Sequence, residues 1–243
     1  MERMTRRTTS TANPPETDTA FSAIQLDGTV AVAEPSVPGN AIVAVPRTRP
    51  DRIAKAISLI FLPPVVAIVT LAILSLHFSD TTQEAVWAAV IASIFVSIIP
   101  VTYIAYLLRH SHLSGGYELM YQQERLRPYL FSAASSGLGN AALWWIGAPA
   151  PVVALTSCYG ISAILLAVIN RYWKISAHAA GAAMGVGAMV VAFGTPALPF
   201  AVILPAVCWA RVRIHMHSTP QVCAGALFGT LSSFAPFAVF GIR

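Results

Sequence analysis

Residues 85–108 read AVWAAVIASIFVSIIPVTYIAYLL. These residues carry no Asp, Glu, Lys or Arg. A helix of roughly 20 apolar residues crosses the ~30 Å hydrocarbon core of a bilayer, so this run is long enough to span.

Similar runs lie on either side, at 53–77, 128–146, 151–169, 176–193, 196–212 and 220–242. Pro63-Pro64 should kink the first of these. The run at 128–146 is diluted by Ser, Gly and Asn, and 196–212 contains Pro199 and Pro205. The many Gly and Ala of 176–193 suit close helix packing in lipid. Polar, charged loops follow the second, fourth and sixth runs. After the third and fifth come only GAPAP and GTPALP, short turns that suit tight helical hairpins. The expected fold is therefore all-α: a polytopic transmembrane helix bundle of six or seven spans, covering residues 52–243.

Composition agrees. Charged residues make up 10% of the chain and hydrophobic residues 56%, with a mean hydropathy of +0.67. Soluble domains average roughly 25% charged residues, too many to match this chain, so lipid is expected to be its solvent. Residues 1–51 differ: they are rich in Thr, Pro, Ala and Val, with TTSTANPPETDT and EPSVPGN, and show no sustained helical period. They are expected to form a disordered tail. Cys158, Cys208 and Cys223 lie in apolar runs without a CxxC spacing and are expected to be small buried hydrophobes.

Charge gives an orientation. On the tail side stand Arg47, Arg49, Arg52, Lys55, Arg109, Arg125, Arg127, Arg171, Lys174, Arg211 and Arg213; the other side has Arg243 alone. The positive-inside rule then makes the tail and the charged loops cytoplasmic, in what is expected to be a bacterial cell membrane. The net charge of +5 does not point to nucleic acid, because no basic run is interleaved with stacking aromatics.

Five of the six His, namely His110, His112, His178, His215 and His217, fall on the same side as these cations, and His77 falls opposite. Three segments separated by even numbers of crossings meet there: Glu124-Arg125-Leu126-Arg127-Pro128, Lys174-Ile175-Ser176-Ala177-His178, and Arg211-Val212-Arg213-Ile214-His215-Met216-His217. Their side chains fit phosphate ester chemistry. Arg and Lys clamp non-bridging oxygens, and a helix starting at Ser176 offers free N–H groups to an anion. One neutral His can attack phosphorus while a second protonates the leaving oxygen.

In order and spacing the three segments resemble the motifs of the type 2 phosphatidic acid phosphatase superfamily, Lys-x6-Arg-Pro, Pro-Ser-Gly-His and Ser-Arg-x5-His-x3-Asp. Arg127-Pro128 matches the end of the first, Ser176 and His178 the second, and Arg211 with His217 the third; the motif region is 120–229. The chain departs from the pattern at Met120 for Lys, at Ile175 and Ala177 for Pro and Gly, at Ala210 for Ser, and at Gln221 for Asp. The resemblance implies a lipid phosphatase acting on a lipid or polyprenyl phosphate or diphosphate through a phosphohistidine, without metal or other cofactor. It implies that His217 is the nucleophile, His178 the general acid and Gln221 the residue that positions His217. Arg127, Ser176 and Arg211 would hold phosphate, with Lys174 standing in for the missing cation. The implied partners are the lipid substrate and the surrounding membrane lipids.

Three other readings share this architecture. A catalytically weak lipid-phosphate-binding or scaffold protein is favoured by Met120 and Gln221. A metalloenzyme would use the pairs His110/His112 and His215/His217, but no His-x-x-His-His box is present. A transporter would fit seven short-looped spans, but no inverted repeat is evident.

Overall fold

The computed structural model describes residues 48–110 and 122–239. The expectations placed on Arg47, His112, Met120, the tail up to residue 47 and the last residues of the 220–242 run lie outside them. Helix α1 (Arg49–Ile60) begins inside the range given to the tail. Thr48 caps it in a reciprocal box, its Oγ accepting from Asp51 N–H while the Asp51 carboxylate accepts from Thr48 N–H. Two residues later the Pro63-Pro64 pair opens α2 (Pro63–Phe78), and the two helices meet at a 48° bend. Proline supplies no N–H to continue α1, so the kink expected from sequence is a complete break.

Helix α3 (Thr82–Ser93) returns along α2, burying Ala88 and Ala92 with Leu71 and Leu74. A single π turn (Ile94–Ile98) joins it to α4 (Ile99–Arg109). In that register the next donor, to Phe95 C=O, would be residue 100, and Pro100 has no N–H. The carbonyl instead accepts from Ser135 Oγ at 2.6 Å, and Ser97 Oγ donates to Pro64 C=O at 3.1 Å. The irregular turn is thus tied to both neighbouring helices.

A 3-10 turn (Gln122–Arg125) leads into α5 (Leu126–Trp145), which pairs with α6 (Ala150–Tyr172) across a short turn. The 17-residue helix α7 (Ala177–Phe193) runs through the middle, buried along almost all of its first three turns. It is followed by a 3-10 helix (Thr195–Val202), α8 (Ile203–Arg213) and α9 (Thr219–Val239). Two glycine seams let α7 take this place. Gly181 and Gly185 face Pro63, Val66 and Thr70 of α2, while Gly225 and Gly229 of α9 lie against the backbone of Ser176 and Ala180. A Cβ at either α9 glycine would overlap a main-chain carbonyl, so only glycine permits the approach.

The described residues contain helices and no strand. Three helical stretches are long and apolar enough to cross a membrane: Thr82–Arg109, Ala150–Tyr172 and Thr195–Arg213. The bent α1–α2 pair makes a fourth if it counts as one span. At ~1.5 Å per residue α7 is about 26 Å long, and Ser and Gly dilute α5. The outward surface is apolar, with Leu138, Trp144, Trp145, Val202, Leu227 and Leu231 exposed. Cys158 is buried as expected, but Cys208 on α8 is half-buried, and Cys223 is exposed because α9 turns that face outward.

Candidate functional site

Helices α5, α7 and α9 each begin at the same end of the bundle, and short polar links hold their first turns together. Gln122 Nε2 donates to Asn170 C=O at 2.5 Å and Asn170 Nδ2 returns a bond to Gln122 C=O at 2.7 Å, fixing the 3-10 turn to the end of α6. Arg125 Nη1 donates to Ile175 C=O at 3.1 Å, and Ser176 N–H to Gln221 C=O at 3.3 Å. Three helix N-termini therefore converge, each with the positive end of its dipole toward this region.

The loop after α8 is shaped by Arg211, whose carbonyl accepts from both Met216 N–H and His217 N–H. His215 turns the chain in the left-handed region, with φ of 56°. The reversal carries His217 inward to 6% exposure, the same as His178. The Arg211 side chain is fully buried and donates to Ser58 Oγ at 2.7 Å. Arg213, two residues on, points out and pairs with Asp51 at 2.8 Å.

The tautomer of His217 follows from its neighbours. Gln221 Oε1 accepts from Ser218 N–H at 3.1 Å, which identifies that atom as the amide oxygen. The same oxygen lies 3.1 Å from His217 Nδ1 and can only accept, so Nδ1 carries the proton and Nε2 keeps its lone pair. Burial, then the cations of Arg125, Arg211 and Lys174, push the imidazole down to about 3, against the opposing effect of the Gln221 bond. At neutral pH it is uncharged. Burial and the neighbouring arginines also hold the Lys174 ammonium below its ordinary range.

His178 and His217 form part of the wall of a cavity of about 460 Å³, together with Arg125. His178 Nε2 has no hydrogen-bond partner among the described residues. Beyond these three side chains the wall is mostly apolar, built from α1, α2, α4, α5, α6 and α7, and no described lining residue is a carboxylate. An anion is favoured at the head of this space and hydrocarbon in its body.

The residues expected from sequence do not all gather here. His178, His217, Gln221, Arg211 and Lys174 do. Ser176 is present but fully buried, its Oγ used to cap α7 by accepting from Ala179 N–H at 3.3 Å. Its contribution is to position the free N–H groups of the helix. Arg127 is exposed and absent from the cavity wall, whereas Arg125, 3% exposed, lines it beside Tyr129. The two arginines flank the start of α5, where the passage from 3-10 to α-helix turns them to different sides; motif spacing alone selected the outer one. The cavity-lining Tyr159, Ser136 and Ser162 carry no motif, and only the helical spacing of polar residues within apolar runs hints at them. Among the described residues no group of three His, Cys, Asp or Glu side chains is placed to hold a metal ion. Comparison with protein-family models, curated proteins and solved structures gives no match.

Proposed function

We propose that the protein is a membrane-embedded hydrolase of an amphiphilic phosphate ester or diphosphate, working through a phosphohistidine. One observation carries the reading: His178, His217 and Arg125 share the polar head of a cavity that is otherwise apolar. His178 takes up a proton as the anionic phosphate binds beside it; His217 Nε2 then attacks phosphorus, the bond from phosphorus to the leaving oxygen breaks, and the His178 imidazolium protonates that oxygen. A water deprotonated by His178 then attacks the phosphohistidine, freeing phosphate and restoring His217. Arg125 takes the clamping role that the family resemblance gave to Arg127, with Arg211, Lys174 and the start of α7 adding positive field.

The proposal includes seven crossings: the bent α1–α2 pair, α3 with α4, α5, α6, α7, the 3-10 helix with α8, and α9. The excess of Lys and Arg at the site end makes that face cytoplasmic, in a bacterial cell membrane. A second reading, lipid-phosphate binding without turnover, is favoured by Gln221. Its amide orients His217 but cannot neutralise an imidazolium as a carboxylate does.

Phosphate release by purified protein in detergent separates the two. The panel is phosphatidate, phosphatidylglycerol phosphate, and polyprenyl mono- and diphosphate. Hydrolysis requires release that falls at least ~100-fold in both His217→Ala and His178→Ala. No release by folded protein, with lipid phosphate still bound, establishes the second reading.

A further inference from the structure

Two proline breaks meet across the cavity. Pro63-Pro64 sets the 48° bend between α1 and α2, and Pro100 follows the π turn that opens α4. Ser97 Oγ, donating to Pro64 C=O at 3.1 Å, joins the two helices at that level. Toward the site end they are held by different partners. Helix α4 leans on α5, where Tyr103 stacks on Phe131 with ring centroids 3.9 Å apart. Helix α1 is held by α8, through Ser58 to Arg211 and Asp51 to Arg213. Above the Ser97–Pro64 bond, Leu59, Leu62 and Pro63 on one side and Pro100, Val101 and Ile104 on the other border a gap in the cavity wall.

The gap opens on the apolar outer surface. Leu59 is 48% exposed and Val101 37%, although both line the cavity, whereas Leu166 and Met184 on its α6 and α7 walls are 7% and 2% exposed. The gap is also level with the polar head. Pro63 lies against Gly181, where an added Cβ would come within 2.9 Å of the proline Cβ. His178 is three residues nearer the head on α7, or about 4.5 Å. Val101 is four residues, or about 6 Å, above Ser97 on α4. His178 and Val101 therefore line the cavity at about the same height. A phosphate held at the head has the gap beside it, and a chain attached to that phosphate reaches the outer surface without passing through the deep end of the cavity. The six bordering residues are all apolar and suit hydrocarbon.

We propose that the gap between the α1–α2 pair and α4 is a lateral doorway. A lipid phosphate enters the cavity from the bilayer through it, and its hydrocarbon chain lies in the gap while the phosphate rests at His178, His217 and Arg125. The doorway rests on the amphiphilic-phosphate reading above and deepens it: the substrate class is a bilayer lipid taken from the membrane plane, not a water-soluble ester.

The test uses the full chain in lipid nanodiscs and a long-chain alkylphosphonate with a diazirine on the chain just below the phosphonate. Photolabelling should fall on residues 59–64 and 98–104 and should be displaced by the same phosphonate without the diazirine. Labelling confined to the deep wall around Ser136 and Met184, or to surfaces away from the cavity, would overturn the doorway. Val101→Trp, at an exposed position, should narrow the gap with little change in melting temperature. It should weaken the long-chain phosphonate at least ~10-fold, the equivalent of about two methylene groups withdrawn from apolar contact, and leave methylphosphonate binding, followed by phosphorus NMR, within about twofold. Unchanged long-chain affinity, or equal losses for both phosphonates, would also overturn it. Binding of neither phosphonate to the wild type refutes the anion-binding head and the doorway together. Phosphate release from phosphatidate is followed in parallel. Its absence with labelling in the gap refutes hydrolysis alone; its presence with labelling elsewhere refutes the doorway alone.

Discussion

Replacing Gln221 by Glu would place a carboxylate against the protonated nitrogen of His217. In the present structure the two groups are 3.1 Å apart, and the same oxygen also accepts from Ser218 N–H, so the geometry should survive the change. With charge centres ~4–5 Å apart, the attraction for an imidazolium is about 1 kcal/mol in water and about 4 kcal/mol at an effective dielectric of 20. Gln221 is only half-buried, which places the gain near the lower figure, at about 1–2 kcal/mol. At ~1.4 kcal/mol per unit, that raises the His217 pKa by roughly one unit. Starting from about 3, it remains neutral at pH 7 but becomes a stronger base. Histidine-labelled protein titrated by nitrogen NMR, with His217→Gln to assign the resonance, reads the shift directly. Phosphate release should rise in the same variant, because the imidazolium formed during attack is now compensated. An unchanged or lowered His217 titration in Gln221→Glu would refute the assignment of Gln221 to Nδ1, and with it the assignment of Nε2 as the nucleophile.

Other predictions follow from the same geometry. Arg125→Ala should lower phosphate release at least ~10-fold, whereas Arg127→Ala, at an exposed position, should stay within about twofold in a detergent assay. Gly229→Val should destabilise the protein by roughly 1–3 kcal/mol in thermal unfolding, since its side chain must displace the Ala180 backbone. His217 should also make stability depend on pH. Its folded pKa, about 3, lies below the ordinary ~6.5, so between these values the unfolded chain binds a proton that the folded chain refuses. Its stability contribution is full above about pH 6.5 and is lost as pH falls toward 3. Melting curves of His217→Gln should show a shallower acid dependence over that window than the wild type.

The helical character and the apolar outer surface were legible because they rest on composition over long windows, which tertiary contacts hardly alter. So was the break at Pro63-Pro64, since a missing N–H acts locally. The gathering of His178, His217, Gln221 and Arg211 could be read from crossing parity and spacing. Arg125 could not, because whether Arg125 or Arg127 faces inward depends on the 3-10 turn that precedes α5 and on the Ile175 carbonyl waiting across the gap. The place of Ser136 and Ser162 on the cavity wall was hidden for a related reason. In an apolar run a serine bonded to its own helix and a serine facing a cavity are the same letter, and only the neighbouring helix distinguishes them. The outward placement of Cys223 likewise depends on which face of α9 meets α7.

The glycine seams on α7 have a mechanical meaning. Where side chains meet side chains, a rotamer change can absorb small displacements; where peptide planes meet, there is no such slack. The contact of α7 with α9 runs through main-chain atoms at Ser176 and Ala180, at the end that bears His178 and beside the turn that bears His217. The spacing between the two imidazoles is then set by the thickness of two backbones, as a machined joint sets its own clearance. Substitutions on the apolar outer surface can change the volume of the bundle without disturbing that clearance, whereas one methyl group in the seam changes it directly.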